Sequence, residues 1–259
     1  MNYGLQISAS GLMTSLYRQD VHANNLANIN TTGFKPDIPM AMTRDSASVE
    51  DGLNFLPSNK LLEKLGGGVL MAPNRVNYKQ GSLEYTFNDM NVALRGEGFF
   101  VVRDSSDKNT DRVRLTRDGR FARNSQGRLV LSGTGQPVLD VQGRPIDIPD
   151  SAPITIQPSG SIQQNRQEIA RIQVIDIADK SKLKKLGESL FLADAEAMAS
   201  KSPARADVIQ GALEASGIDE IAALMNVQSA ARDVDGNIRM LQAHDRVIDR
   251  AINQFGRIG

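Results

Sequence analysis

Leu224-Met225-Asn226-Val227-Gln228-Ser229-Ala230-Ala231-Arg232-Asp233-Val234-Asp235-Gly236-Asn237-Ile238-Arg239-Met240-Leu241 opens the segment on which the fold turns. Leu224, Val227, Ala231, Val234, Ile238, Leu241, Ile248, Ile252 and Phe255 follow alternating steps of three and four. A stripe of that period lies along one side of an α-helix and needs an apolar partner. Asp245 takes one slot of the stripe. A polar residue in an apolar seam costs stability but can fix register or partner number. Ser216 or Asp219 is placed to cap the helix start, and Asp219-Glu220 suits the positive end of its dipole.

The other end of the chain carries a second stripe. Leu5, Leu12 and Leu26 fall seven or fourteen residues apart, with Gln19 in the intervening slot. Ala9, Leu16 and Ala23 occupy the companion positions, so small residues line one side. The run ends in Asn30-Thr31-Thr32-Gly33-Phe34-Lys35-Pro36, where Gly33 suits a left-handed turn and Pro36 discourages the helix from resuming. The two stripes can be satisfied by each other within one chain or by other chains. His22, Asn24, Asn25, Asn28 and Asn30 crowd the end of the first helix. Their side chains offer many donors and acceptors, to solvent or across subunits in a tube of packed helices.

Between the helices the pattern changes to strands. Val92, Leu94 and Phe99-Phe100-Val101-Val102 make short apolar runs broken by Gly96 and Gly98. Turn signals recur at Asp118-Gly119, Gln126-Gly127, Gly133-Thr134-Gly135, Gln142-Gly143 and Ser159-Gly160. Ile172-Gln173-Val174-Ile175-Asp176-Ile177 alternates as a strand does. The expected fold is α+β: terminal helices 1–36 and 213–259 form a coiled-coil axial domain around an inserted, mainly antiparallel β domain at 67–192. Residues 37–66 and 193–212 read as connectors.

Composition narrows the function. The 259 residues hold 30 Lys and Arg against 30 Asp and Glu. Zero formal charge argues against a general nucleic-acid binder, which needs a cationic excess. The chain has no cysteine, which excludes disulfides, thiolate metal sites and cysteine nucleophiles. The N-terminal residues lack the charged start and unbroken apolar core of a secretory signal, and no apolar run of about 18 residues predicts a membrane helix. An external location would then require a route without a cleaved signal.

At this point a longer match stands out. His22-Ala23-Asn24-Asn25-Leu26-Ala27-Asn28-Ile29-Asn30-Thr31-Thr32-Gly33-Phe34-Lys35 resembles the N-terminal signature of the flagellar rod and hook protein family. Gly66-Gly67-Gly68-Val69, Gln80-Gly81-Ser82-Leu83 and Asn91-Val92-Ala93-Leu94-Arg95-Gly96-Glu97-Gly98-Phe99-Phe100 resemble its central region. Thr116-Arg117-Asp118-Gly119-Arg120-Phe121 resembles a conserved β segment, and Gly211-Ala212-Leu213-Glu214-Ala215-Ser216 the lead-in to its C-terminal helix. Gly217 departs from the family's usual asparagine, and Val234 from its usual aromatic.

The resemblance implies a structural subunit of the bacterial flagellar basal-body rod, of proximal or distal type. Such proteins are exported by the flagellar export apparatus without a cleaved signal. They assemble helically with copies of themselves and other rod and hook proteins, cross the periplasm and transmit torque from motor to hook. The chain has no room for the extra outer domain of hook proteins. The implied assembly interface comprises Leu5, Leu12, Leu16, Asn24, Asn25, Leu26, Asn28, Gly33 and Phe34 on the first helix and its exit. On the second it comprises Leu224, Val227, Ala231, Val234, Asn237, Ile238, Leu241, Ile248 and Ile252. A secreted β-domain binding module with a helical dimerisation stalk is the alternative.

No constellation for catalysis emerges, so no enzyme activity, cofactor or metal is expected. His22 and His244 would need further ligands to hold a metal. Gly66-Gly67-Gly68 lacks the lysine of a phosphate loop, and Gly133-Thr134-Gly135 lacks the third glycine of a dinucleotide fingerprint. Asp118 between Arg117 and Arg120 reads as a charged hairpin tip, and Lys180-Ser181-Lys182-Leu183-Lys184-Lys185 as a solvated basic face.

Overall fold

The first and last described segments are helical. The computed structural model describes residues 3–46, Val49, 66–104, 112–149 and 152–255. Helix α1 spans Tyr3–Ala27, a short α2 spans Ala195–Ala199, and α3 spans Glu220–Phe255. The strands among the described residues pair antiparallel, so the class is α+β. The chain divides into a helix unit (1–27, 37–75 and 219–259) and a β unit (28–36 and 76–218).

In the helix unit α1 and α3 pack against each other in opposite directions. A Cβ on Gly4 would meet His244, and one on Gly11 would meet Asn237. The Asn237 amide donates to Ser15 Oγ at 2.9 Å. The seam on α3 is made of Ala223, Ala230 and Val234, which are buried, with Val227, Asn237, Leu241, His244 and Ile248 half-buried. Its members alternate four and three apart. They share Val227, Val234, Leu241 and Ile248 with the expected stripe, but the other row lies one residue earlier. The reason is on α1, where Gly4, Gly11 and Ser15 face small or polar partners. A close approach of two backbones favours such residues over leucine or isoleucine.

Asp37–Thr43 pairs with Val69–Val76 in a two-stranded ribbon. It is fastened to α1 at two points. Ser10 Oγ accepts from the Val69 amide at 3.3 Å. Asn25, buried near the helix end, donates to the Asp37 carbonyl at 2.7 Å and accepts from the Asp37 amide at 3.0 Å. The first connector expected from sequence thus begins as a strand. Residues 47–48 and 50–65 of that connector lie outside the described residues.

The β unit is built on a six-stranded sheet in the order Leu183–Gly187, Leu190–Ala193, Val113–Thr116, Phe99–Arg103, Val174–Ile177, Lys201–Pro203. The unbroken apolar run at Phe99 is explained by burial on both faces. Phe99 and Val101 join one core cluster with Leu115, Ile177 and Phe191. Phe100 and Val102 join another with Leu94, Phe121, Leu129 and Ile162. Further two- and three-stranded pieces complete the unit, among them Asp207–Gln210 on Val92–Arg95 and Ala212–Glu214 on Leu83–Tyr85. Residues 193–212 therefore carry α2 and strands, where low apolarity read as a connector. Edge and ribbon strands need few apolar residues, because one face or one edge stays wet.

Candidate functional site

Five of the matched motifs, from Gly33-Phe34-Lys35 to the lead-in at 211–216, contribute residues to the β unit, while residues 66–69 lie in the helix unit. After α1 the chain turns through Asn28 and Thr31: the Thr31 amide donates to the Asn28 carbonyl, and its hydroxyl to Asn28 Oδ1. The turn delivers Gly33-Phe34-Lys35 to a buried position. Gly33 adopts a left-handed φ of 64° and lies against the Arg117 backbone, where a Cβ would come within 2.5 Å of the carbonyl carbon. Only glycine tolerates both conditions. Phe34 is buried, with Lys185 Nζ 4.0 Å from its ring centroid, a cation–π contact.

Lys35, Glu214 and Arg117 form an ionic triad with side chains 1%, 1% and 5% exposed. Lys35 Nζ donates to Glu214 Oε1 at 2.5 Å and to the Lys79 carbonyl at 2.9 Å. Arg117 Nη1 donates to Glu214 Oε2 at 3.0 Å, and Nη2 to the Gly96 carbonyl at 2.8 Å. The Gly81 amide adds a third bond to the Glu214 carboxylate. Gln80 bridges the next strand, donating to the Leu94 carbonyl and accepting from the Gly96 amide. Two buried cations thus share one carboxylate. Burial holds the Lys35 ammonium below its ordinary pKa, against the pull of Glu214 in the other direction; Arg117 and Lys180 add to the lowering.

The two stretches that join this unit to the helices also bond to each other. The Gly33 amide donates to the Glu214 carbonyl at 2.8 Å, and the Gly217 amide to the Phe34 carbonyl at 3.0 Å. Gly217, the departure from the family pattern, lies where an added Cβ would crowd the Lys79 carbonyl oxygen at 3.3 Å and Pro36 at 3.4 Å. Glu214 and Arg117 were not singled out as site residues by sequence. Their signal was charge at motif positions in segments otherwise apolar or turn-like.

Asp118 is not a solvated hairpin tip. It is buried and accepts from the Arg120 amide, Nε and Nη2, while its own amide donates to Thr116 Oγ1. Gly119 packs on the Val92 backbone, which draws the turn inward. The basic run at 180–185 is paired rather than merely solvated. Lys180 meets Glu97 at 2.6 Å, Lys182 meets Glu196, Lys184 meets Asp194, and Lys185 Nζ donates to the Lys35 carbonyl.

The remaining interface candidates lie on the helices. On α1, Leu5, Leu12 and Leu26 are half-buried, Leu16 and Asn24 are exposed, Asn25 is buried and Asn28 lies just beyond the helix end. On α3, Leu224, Ile238 and Ile252 are exposed and fall fourteen residues apart; Ala231 between them is half-buried. Met240 and Val247, seven apart on the other flank of the seam, are exposed too. His244 faces Gly4, at the opposite end of α1 from His22. Among the described residues no group of three His, Cys, Asp or Glu is arranged to hold a metal, and no helix is long and apolar enough to cross a membrane.

Comparison with known proteins gives the family. Over its whole length the chain is 32% identical to the whole of flagellar basal-body rod protein FlgF of Caulobacter vibrioides. The chain belongs to the flagellar basal-body rod protein family. Flagellar basal-body rod protein FlgG of Buchnera aphidicola subsp. Schizaphis graminum is 29% identical over 95% of this chain and 97% of its own. The flagellar hook protein FlgE of Treponema pallidum matches at 33% identity over 43% of this chain and 24% of its own. Residues 5–35 match the family described as Flagella basal body rod protein, and 93–164 match the Flagellar hook protein FlgE/F/G D1 domain. The first match ends on Lys35 and the second contains Arg117, so both reach the triad. The rod relatives are structural proteins rather than enzymes, and the rod family places this chain in the flagellar basal body as a structural component.

Proposed function

We propose that the chain is a self-assembling subunit of the flagellar rod. It packs helically through α1 and α3, in a coiled-coil axial arrangement, with copies of itself and with other rod and hook proteins, and it transmits torque from motor to hook. Export by the flagellar apparatus without a cleaved signal, and a position crossing the periplasm, belong to the same reading.

One observation carries the assembly step. α3 satisfies α1 with the seam from Ala223 to Ile248 and still exposes Ile221, Leu224, Met225, Ile238, Met240, Val247 and Ile252. Each large apolar side chain transferred from water to an interface contributes about 1.5–3 kcal/mol, so these rows favour association with more helices. Side chains that serve only the intrachain seam would have no reason to extend so far around the helix.

The test is a triple substitution, Leu224→Asp, Ile238→Asp and Ile252→Asp. The parent chain should form open-ended oligomers on sedimentation and restore swimming to a strain lacking it. The variant should stay monomeric with an unchanged β-unit melting transition, and should fail to restore swimming. Normal swimming by the variant would sink the assembly reading. A closed, monodisperse dimer of the parent would favour the binding-module alternative.

A further inference from the structure

Building on the rod reading, we infer that Glu214 is the positioning residue of a mechanical clamp, which locks the stretch leaving α1 and the stretch entering α3 to one another and to the β unit. Force passed along the chain from α1 enters the β unit at Asn28, and force from α3 enters it at Ile218. Both routes converge on Glu214 within a few residues. Its carbonyl accepts from the Gly33 amide, and its carboxylate accepts from Lys35, Arg117 and the Gly81 amide.

The clamp has parallel fastenings. The Gly217 amide donates to the Phe34 carbonyl, Ser189 Oγ to the Thr32 carbonyl at 3.1 Å, Lys185 Nζ to the Lys35 carbonyl at 2.7 Å, and the Ala215 amide to the Ser82 carbonyl at 2.8 Å. Bonds loaded together must break together, whereas bonds loaded in sequence fail one at a time. Burial of the ionic triad keeps water from replacing a strained bond before it breaks.

The wiring is asymmetric. Lys35 holds the first stretch through Glu214 and the Lys79 carbonyl, while Arg117 and the Gly81 amide hold the Glu214 carboxylate of the second without Lys35. Lys35→Met removes one anchor and leaves a charge-balanced Glu214–Arg117 pair, so the variant keeps its buried charges compensated. Its effect must therefore depend on the direction of pull. A group acting only through overall stability weakens every direction alike.

The chain has no cysteine, so engineered thiols give unique attachment points. Ala23, Ser125 and Ala222 are exposed and small. Single full-length molecules are pulled between Ala23→Cys and Ser125→Cys, and separately between Ala222→Cys and Ser125→Cys. Lys35→Met should lower the rupture force of the first pair clearly more than that of the second, which keeps Arg117 and the Gly81 amide on Glu214. Glu214→Gln, wherever it folds, should lower both. Equal weakening of both directions by Lys35→Met, or no weakening of either, would overturn the clamp. Such an outcome leaves assembly untouched, because the pulled molecule is a monomer, whereas failure of the swimming and sedimentation test would remove the rod reading and leave the rupture forces standing.

Discussion

The β unit and the helix unit solve the burial problem in opposite ways. The β unit encloses two apolar clusters, and the cations of its buried triad share the Glu214 carboxylate. The helix unit packs α1 on α3 through Gly4, Gly11, Ser15, Ala223 and Ala230, and leaves large side chains such as Met13, Leu224, Met240 and Ile252 outside. A closed core concentrates stability, since most of its apolar surface has left water. A helix pair that leaves many large apolar side chains in water gains less from its own contact, because only the apolar surface removed from water contributes. What the helix unit lacks in intrachain burial it keeps as exposed apolar surface.

The largest expected effect lies in the β unit. Glu214→Gln strands two buried cations and should cost about 3–5 kcal/mol in urea unfolding, whereas Lys35→Met should stay near the parent. Comparable losses from both would break the idea of one carboxylate serving two cations. The pH dependence sharpens the same point. Burial lowers the Lys35 pKa in the folded chain below the ordinary 10.5, so between the two values the unfolded state binds more protons. Stability of the parent relative to Lys35→Met should then rise with pH as 10.5 is approached from below.

Gly33→Ala comes next. The left-handed backbone alone costs a residue with a Cβ about 1–3 kcal/mol, and displacement of the Arg117 carbonyl adds to it. The expected sign is a lower melting temperature of the β unit with the helix unit's transition unmoved. In the helix unit, Asn25→Ala should cost about 1–3 kcal/mol through the two lost bonds to Asp37. Amide exchange at Asp37 should accelerate while the protected amides of Phe100 and Leu115 stay slow. If those slow too little or exchange together with Asp37, the two units are not separate in stability.

The smallest effect is at His22. Burial first, then the Arg18 charge, lowers its pKa below 6.5, so the folded helix unit favours the neutral ring. Its contribution is fully present above pH 6.5 and is lost as pH falls through the folded value. Helix-unit melts from pH 7.5 to 5 should decline more for the parent than for His22→Gln. Parallel curves would remove His22 from the account.

Much of the fold was legible because periodicity and turn chemistry are local. The stripe at Leu224–Ile252, the Asp118-Gly119 and Gln126-Gly127 turns and the alternation at Ile172–Ile177 each report on a few neighbouring residues. The junction was legible only as motifs. Nothing in Thr116-Arg117-Asp118 announces a buried guanidinium, and Asp118 reads as solvent-facing until Gly119 is seen against Val92. The segment 193–212 hid its strands for a related reason, since ribbon strands with one wet edge need no apolar run.

By itself, the sequence determined that both ends are amphipathic helices around a β-rich middle, that no thiol chemistry operates, and that Asn24 to Lys35 belongs to the rod and hook pattern. Only the tertiary structure decided how those features are used. It divided the α3 stripe into an inner seam and outer rows, because the small residues of α1 admit alanine and asparagine where isoleucine would not fit. It also drew Lys35, Arg117 and Glu214 into one carboxylate-centred knot. Charge pairing across 179 residues depends on where the chain returns, and no local pattern encodes that return.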